Sequence, residues 1–269
     1  ICLVAHCAAW MRQSHHHVLV RNTLQPTLLP CALLLRYSRL TQALVTALTA
    51  QMAEGRLYEV DMRLRPSGRA GPVATSVDAF MAYQRDEAWT WEHLALTRAR
   101  PVVGNAELAG VVEAFRREVL EAKGQGPAVM SDLAEMRARI ADAKPPQGEW
   151  DAKIGAGRLQ VTELICQAVA LRAGSPAREG AAQLAAGVAK GLLSAADAGA
   201  IAAAAGLFWR MQAAARLLTG GTLIPEDLGE GGRRLILRET GFATMAELQD
   251  AMQNAAIAAD KVISAKLAE

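Results

Sequence analysis

Beyond Gly104 the sequence has almost no apolar–polar alternation at a period of two; its apolar residues recur at intervals of three and four instead. That pattern excludes a sheet-built second half and demands helices packed on helices. Leu108, Val112, Phe115 and Val119 share one helical face, and Leu133, Met136 and Ile140 share another after a Gly/Pro link at residues 124–127. Lys144 to Gly148 reads as a further break. Ser194 with Asp197, and Thr244 with Glu247, have the spacing at which a hydroxyl and a carboxylate satisfy the free N–H groups of a helix start. Gly220 and Gly221 read as a stop. Alanine runs such as Ala202 to Ala205 favour helix over strand and let helices approach closely. Residues 105–269 are therefore expected to form one all-helical bundle.

The first half is mixed. Leu40, Leu44, Leu48 and Met52 recur at steps of four, predicting an amphipathic helix from Ser38 that packs through this face and is ended by Gly55. From Leu57 to Arg65 the chain alternates, with Tyr58, Val60, Met62 and Leu64 on one side and Glu59, Asp61, Arg63 and Arg65 on the other. This predicts a strand with one charged face, ended by Pro66 and followed by a loop from Ser67 to Pro72 that carries Gly68 and Gly71. Thr75 or Ser76 can cap a helix bearing Phe80 and Tyr83, and a second helix is expected through Trp89, His93 and Leu96 to about Arg100, before Pro101. The expected class is α+β, predominantly α-helical, with a small-sheet domain over 37–104 and the helical domain after it.

Residues 1–36 stand apart. They hold three of the four cysteines and four of the five histidines, and the first carboxylate anywhere is Glu54. Cys2, Cys7, Cys31 and His15 to His17 are chemically able to bind zinc, but no paired short-spaced motif is present. The alternative is a leader that is unstructured or translated out of frame. The chain begins at Ile1, which suggests a piece of a longer polypeptide. A formal charge of +2 gives no electrostatic case for nucleic acid. The apolar stretches 22–35 and 191–209 are interrupted by Pro26 and Pro30 or by Asp197, so no membrane span and a cytoplasmic location are expected.

The chemistry concentrates around Asp61. By spacing alone, Glu59 and Asp61 offset by Arg63 and Arg65 describe a solvated strand face, and Asp61 as a magnesium ligand is the competing reading. The runs EVDMRLRPSG, GPVATS and YQRDEAWTWEHLALTRARPVVG resemble the end of the catalytic domain of glutamine synthetase adenylyltransferases. The AWTWEH form resembles the C-terminal, adenylylating half of that two-headed family. EMRARI at 135–140 and DAKIGAGRLQVTELICQ at 151–167 resemble the helical domain that follows it, so the likeness extends from about Tyr37 to the C-terminus.

This resemblance implies a nucleotidyltransferase fold, in which a sheet presents three carboxylates to two magnesium ions and the triphosphate of ATP. Asp61 matches the third carboxylate, and Arg63 and Arg65 are candidates for phosphate contact. The implied reaction moves AMP from ATP to a tyrosine of glutamine synthetase, with a PII signalling protein as regulator and Asp61 as a candidate acceptor of the tyrosine proton. The first two carboxylates belong to a Gly-Ser-Asp-x-Asp motif upstream, yet residues 1–53 contain no acidic residue. The stretch is thus expected to be inactive by itself, the alternative being a non-catalytic helical partner-binding module or the product of a disrupted gene. His93 is expected to be a buried structural histidine, Trp89 and Trp91 core or interface aromatics, and Arg98 and Arg100 to line or brace the site. The family often has Asp-Ile-Glu where this chain has Val161, Thr162 and Glu163.

Overall fold

The strand that carries Asp61 takes its sheet neighbour from earlier in the chain. The structure, a computed structural model, describes residues 2–6, 14–20, 30–56, 60–62, 65–126 and 128–268. Strands β1 (Cys2–His6) and β2 (Ser14–Val20) pair antiparallel. Helix α1 (Pro30–Thr49) follows, then a short ribbon of β3 (Gln51–Met52) and β4 (Gly55–Arg56). Strand β5 (Val60–Asp61) lies parallel to β2 with His15 opposite Asp61, and β6 (Ala74–Ser76) lies parallel to β2 with Val18 opposite Ala74. One edge of β2 is taken by β1, so β5 and β6 run end to end along the other, and the Gly-containing loop is an excursion between them. Helices α2 (Val77–Asp86) and α3 (Thr90–Leu96) lead into β7 (Ala99–Gly104), which closes the other side of the sheet against β1.

Contacts divide the chain into two units, residues 1–125 with 174–178, and residues 126–173 with 179–269. Helix α4 (Ala106–Gly124) therefore belongs with the sheet, one helix later than the division near Gly104 read from the sequence. The reason is its apolar face: Leu108, Val112, Phe115 and Val119 complete a core begun by Val77, Phe80, Leu96 and Ala99. The Phe80 and Phe115 rings meet edge to face at 5.9 Å. Asn105 starts α4 by accepting the N–H groups of Glu107 and Leu108.

Two local expectations are corrected. Helix α1 stops at Thr49, and Gly55, at φ +100°, serves the ribbon instead. The face expected to pack is turned outward, with Leu40 52% and Leu44 41% exposed; Thr41 is buried, and α1 lies on β5 and β6. Second, the helix through His93 ends at Leu96, and the residues around Pro101 form β7 rather than a last helical turn. Proline and the adjoining Val102 and Val103 favour extended backbone. The expected strand Leu57–Arg65 is described only at Val60–Asp61.

The second unit has no strand among its described residues; its helices are α5 (Ala128–Ala143), α6 (Leu159–Arg172), α7 (Gly180–Ala189), α8 (Ala195–Leu218), α9 (Glu230–Thr240) and α10 (Met245–Leu267). The molecule is thus predominantly helical α+β. Helix α6 is apolar on nearly all sides because α5, α7, α8 and α10 surround it. Both expected N-caps form: the Asp197 N–H reaches Ser194 Oγ at 3.0 Å and the Glu247 N–H reaches Thr244 Oγ1 at 3.1 Å. Among the described residues no helix is long and apolar enough to cross a membrane.

Candidate functional site

Asp61 is a buried carboxylate, 7% exposed, at the end of β5. Of the three residues between β5 and Arg65, Met62 is described, and Arg63 and Leu64 lie outside the described residues. Arg65 turns back on the loop: its Nε donates to the Gly71 carbonyl at 3.2 Å and one terminal nitrogen to the Met62 carbonyl at 2.7 Å. Burial lowers the Arg65 pKa and the charge of Asp61 partly restores it. The guanidinium is therefore both the loop's internal brace and a positive neighbour of Asp61.

The loop allows little variation. Ser67 adopts left-handed backbone at φ 60°. A Cβ on Gly71 would stand 1.9 Å from the Pro66 carbonyl oxygen, so the tight return of the chain requires glycine. From the other side the loop is held by Tyr83 on α2. Its hydroxyl donates to both Glu92 carboxylate oxygens at 3.0 Å and accepts the Ser67 N–H. Glu92, buried on α3, also accepts the Trp89 N–H at 3.1 Å. Burial raises the pKa of Glu92; burial and then the Glu92 charge raise that of Tyr83. This Glu92–Tyr83–Ser67 chain, spanning two helices and the loop, has no periodic signature, and only the geometry reveals it.

His93 is buried beside this network, with Nε2 3.0 Å from the Gln84 carbonyl, and burial lowers its pKa, as fits a structural histidine. Trp89 and Trp91 are exposed rather than core residues. Behind the site Arg116, 1% exposed, donates to the carbonyls of Leu96, Thr97 and Pro176 and pairs with Glu113. Glu113 also takes Arg178, whose Nε donates to the Ala99 carbonyl at 2.8 Å. Burial pulls the Arg116 pKa down to about 10. These bonds tie α4, the start of β7 and the 174–178 segment together.

As a metal site the donor set is incomplete. Among the described residues no three His, Cys, Asp or Glu side chains converge. A single carboxylate with a guanidinium neighbour does not fit a two-metal centre. The second sequence motif, around Asp151, is a self-bonded turn: Asp151 accepts the N–H groups of Gln147, Lys153 and Ile154, and Arg158 donates to the carbonyls of Gly148 and Asp151. Thr162, in the segment that departs from the family's Asp-Ile-Glu, is fully buried and bonds the Leu159 carbonyl. Cys2, Cys7, Cys31 and His15 to His17 lie outside the described side chains.

The sequence has relatives among known proteins. Residues 35–114 match the family model described as glutamate-ammonia ligase adenylyltransferase. The chain is 41% identical over 219 residues to the bifunctional glutamine synthetase adenylyltransferase/adenylyl-removing enzyme of Rhizobium meliloti (strain 1021), covering 79% of this chain and 22% of that protein. The Brucella suis biovar 1 (strain 1330) protein of the same name is 50% identical over 131 residues, 49% of this chain and 13% of its own length. The Agrobacterium fabrum (strain C58 / ATCC 33970) protein of that name is 50% identical over 135 residues, 50% of this chain and 14% of its own.

Proposed function

Because the chain belongs, over part of its length, to the glutamate-ammonia ligase adenylyltransferase family of nucleotidyltransferases, we propose that it is part of an enzyme that transfers AMP from ATP to a tyrosine of glutamine synthetase. That activity regulates nitrogen assimilation in the cytoplasm, with a PII signalling protein as a further partner. The observation that carries the reading is Asp61: a carboxylate buried at a strand end beside an arginine-braced loop. Burying an ionised group is costly unless something compensates it. A purely solvated strand face, the bland alternative, has no need of that cost.

Within this reading Asp61 supplies one magnesium ligand and is the candidate acceptor of the tyrosine proton, while Arg63 and Arg65 are the candidates for phosphate contact. Magnesium would neutralise charge on the ATP phosphates. This chain's own part is to fix Asp61 on the sheet, to hold the 65–71 loop through Tyr83 and Glu92, and to keep Arg65 close. The other carboxylates must come from elsewhere, since residues 1–53 hold none. By itself, the stretch is proposed to be inactive. The acid-free first 53 residues equally favour a second reading, a non-catalytic helical module or the product of a disrupted gene.

The experiment is a fusion. The segment of the Rhizobium meliloti relative that precedes its matched region is placed ahead of Tyr37, and label transfer from ATP to glutamine synthetase is followed. Transfer that disappears on Asp61→Ala supports the catalytic reading. Transfer that survives Asp61→Ala, or none in a folded fusion, leaves the module reading.

A further inference from the structure

The second unit holds a partly open cavity that the adenylylation reading does not use. Its volume is about 320 Å3, at the small end of ligand sites. Met130 of α5, Val169 of α6, and Leu192 and Leu193 ahead of α8 supply an apolar wall. Arg172, in the last turn of α6, and Lys266, in the last turn of α10, add two cations from separate helices. None of the described residues that line it is acidic. Cations in a last turn offset the negative end of a helix. That role does not require two of them to converge on one apolar hollow.

We propose that this cavity binds a small amphiphilic carboxylate, its aliphatic tail along Met130, Val169, Leu192 and Leu193 and its head between Arg172 and Lys266. Apolar burial supplies the tail's contribution, and a guanidinium is suited to grip a carboxylate through two N–H groups. A free amino acid fits less well, because its ammonium would meet two cations and no carboxylate. The inference is independent of Asp61 and of any transfer chemistry.

Octanoate serves as the probe, with octyl glucoside as the same tail without charge and acetate as the charge without a tail. Calorimetry on the full chain should give saturable 1:1 binding of octanoate and none of the other two at equal concentration. Arg172→Met, checked for folding by circular dichroism, should weaken octanoate roughly ten- to a hundredfold. Independently of any variant, methyl-labelled wild-type protein should show the Met130 methyl resonance shifting to saturation with octanoate while that of Met81 stays in place. No saturable octanoate binding, equal binding of octyl glucoside, an unaffected Arg172→Met protein, or an unmoved Met130 methyl would each overturn the proposal.

Discussion

The two units fill their interiors differently. The first buries charge: Asp61, Glu92 and Arg116 lie inside it, the last two gripped by several fixed partners. The second buries mostly small and aliphatic residues, with Asp151 a buried charge held within its own turn, and relies on close approach; its Gly187 faces the Val169 methyl, and Gly157 faces the backbone of α10. Burying charges is costly unless each is paired and bonded, but it fixes positions closely. Close packing of small residues builds a rigid body without placing any reactive group. The difference teaches where to look for chemistry, namely in the unit that tolerates the cost.

The comparison breaks most visibly at Arg116. Arg116→Met removes the donor to three carbonyls, two of them buried, and should cost about 3–5 kcal/mol, felt in the first unit. Native-state hydrogen exchange should show α4 and β7 amides exchanging faster while α8 and α10 amides keep their protection; an equal loss in both would mean the units do not have separate interiors.

Gly157→Ala is the reverse experiment. Gly157 sits at φ +66°, and an added Cβ would stand 2.0 Å from the Ala256 carbonyl oxygen. Strain and collision together should cost about 2–4 kcal/mol, now in the second unit, with α10 amides exposed first and β7 unaffected.

The smallest effect is one of pH. Glu92 has a folded pKa raised by burial above the ordinary value of 4.5. Its contribution to stability is therefore fully present below that ordinary value and is lost as pH rises through the raised one. Glu92→Gln keeps an acceptor for Tyr83 and for the Trp89 N–H but cannot ionise. Thermal midpoints from pH 4 to 7.5 should show the variant gaining on the wild type as pH rises. Parallel curves would remove Glu92 from the first unit's buried charges.

Much of this contrast was legible beforehand in the second unit, where helices answer to periodicity and caps: the Ser194 and Thr244 starts form with the expected partners. The first unit was harder because its strands are short and find partners far away in sequence. The steps of four from Leu40 to Met52 mark a real helix as far as Thr49, but the sheet takes the face around Thr41 instead. Helix α4 has the period of a bundle helix, and nothing local says that its partner core is made by Phe80 and Leu96. Asp61 could be singled out from its motif, whereas the Tyr83–Glu92 and Arg116–Glu113–Arg178 networks could not. They join residues from different elements through single side-chain contacts, which leave no repeating trace.

The central proposal is that Asp61 is one carboxylate of a metal-dependent transferase centre whose other carboxylates this stretch does not carry. It is tested most directly by incubating the purified chain with labelled ATP, magnesium and glutamine synthetase. The account predicts no label on glutamine synthetase above a blank without the chain. Label above that blank that vanishes with Asp61→Ala would contradict it, because a lone carboxylate would then be sufficient.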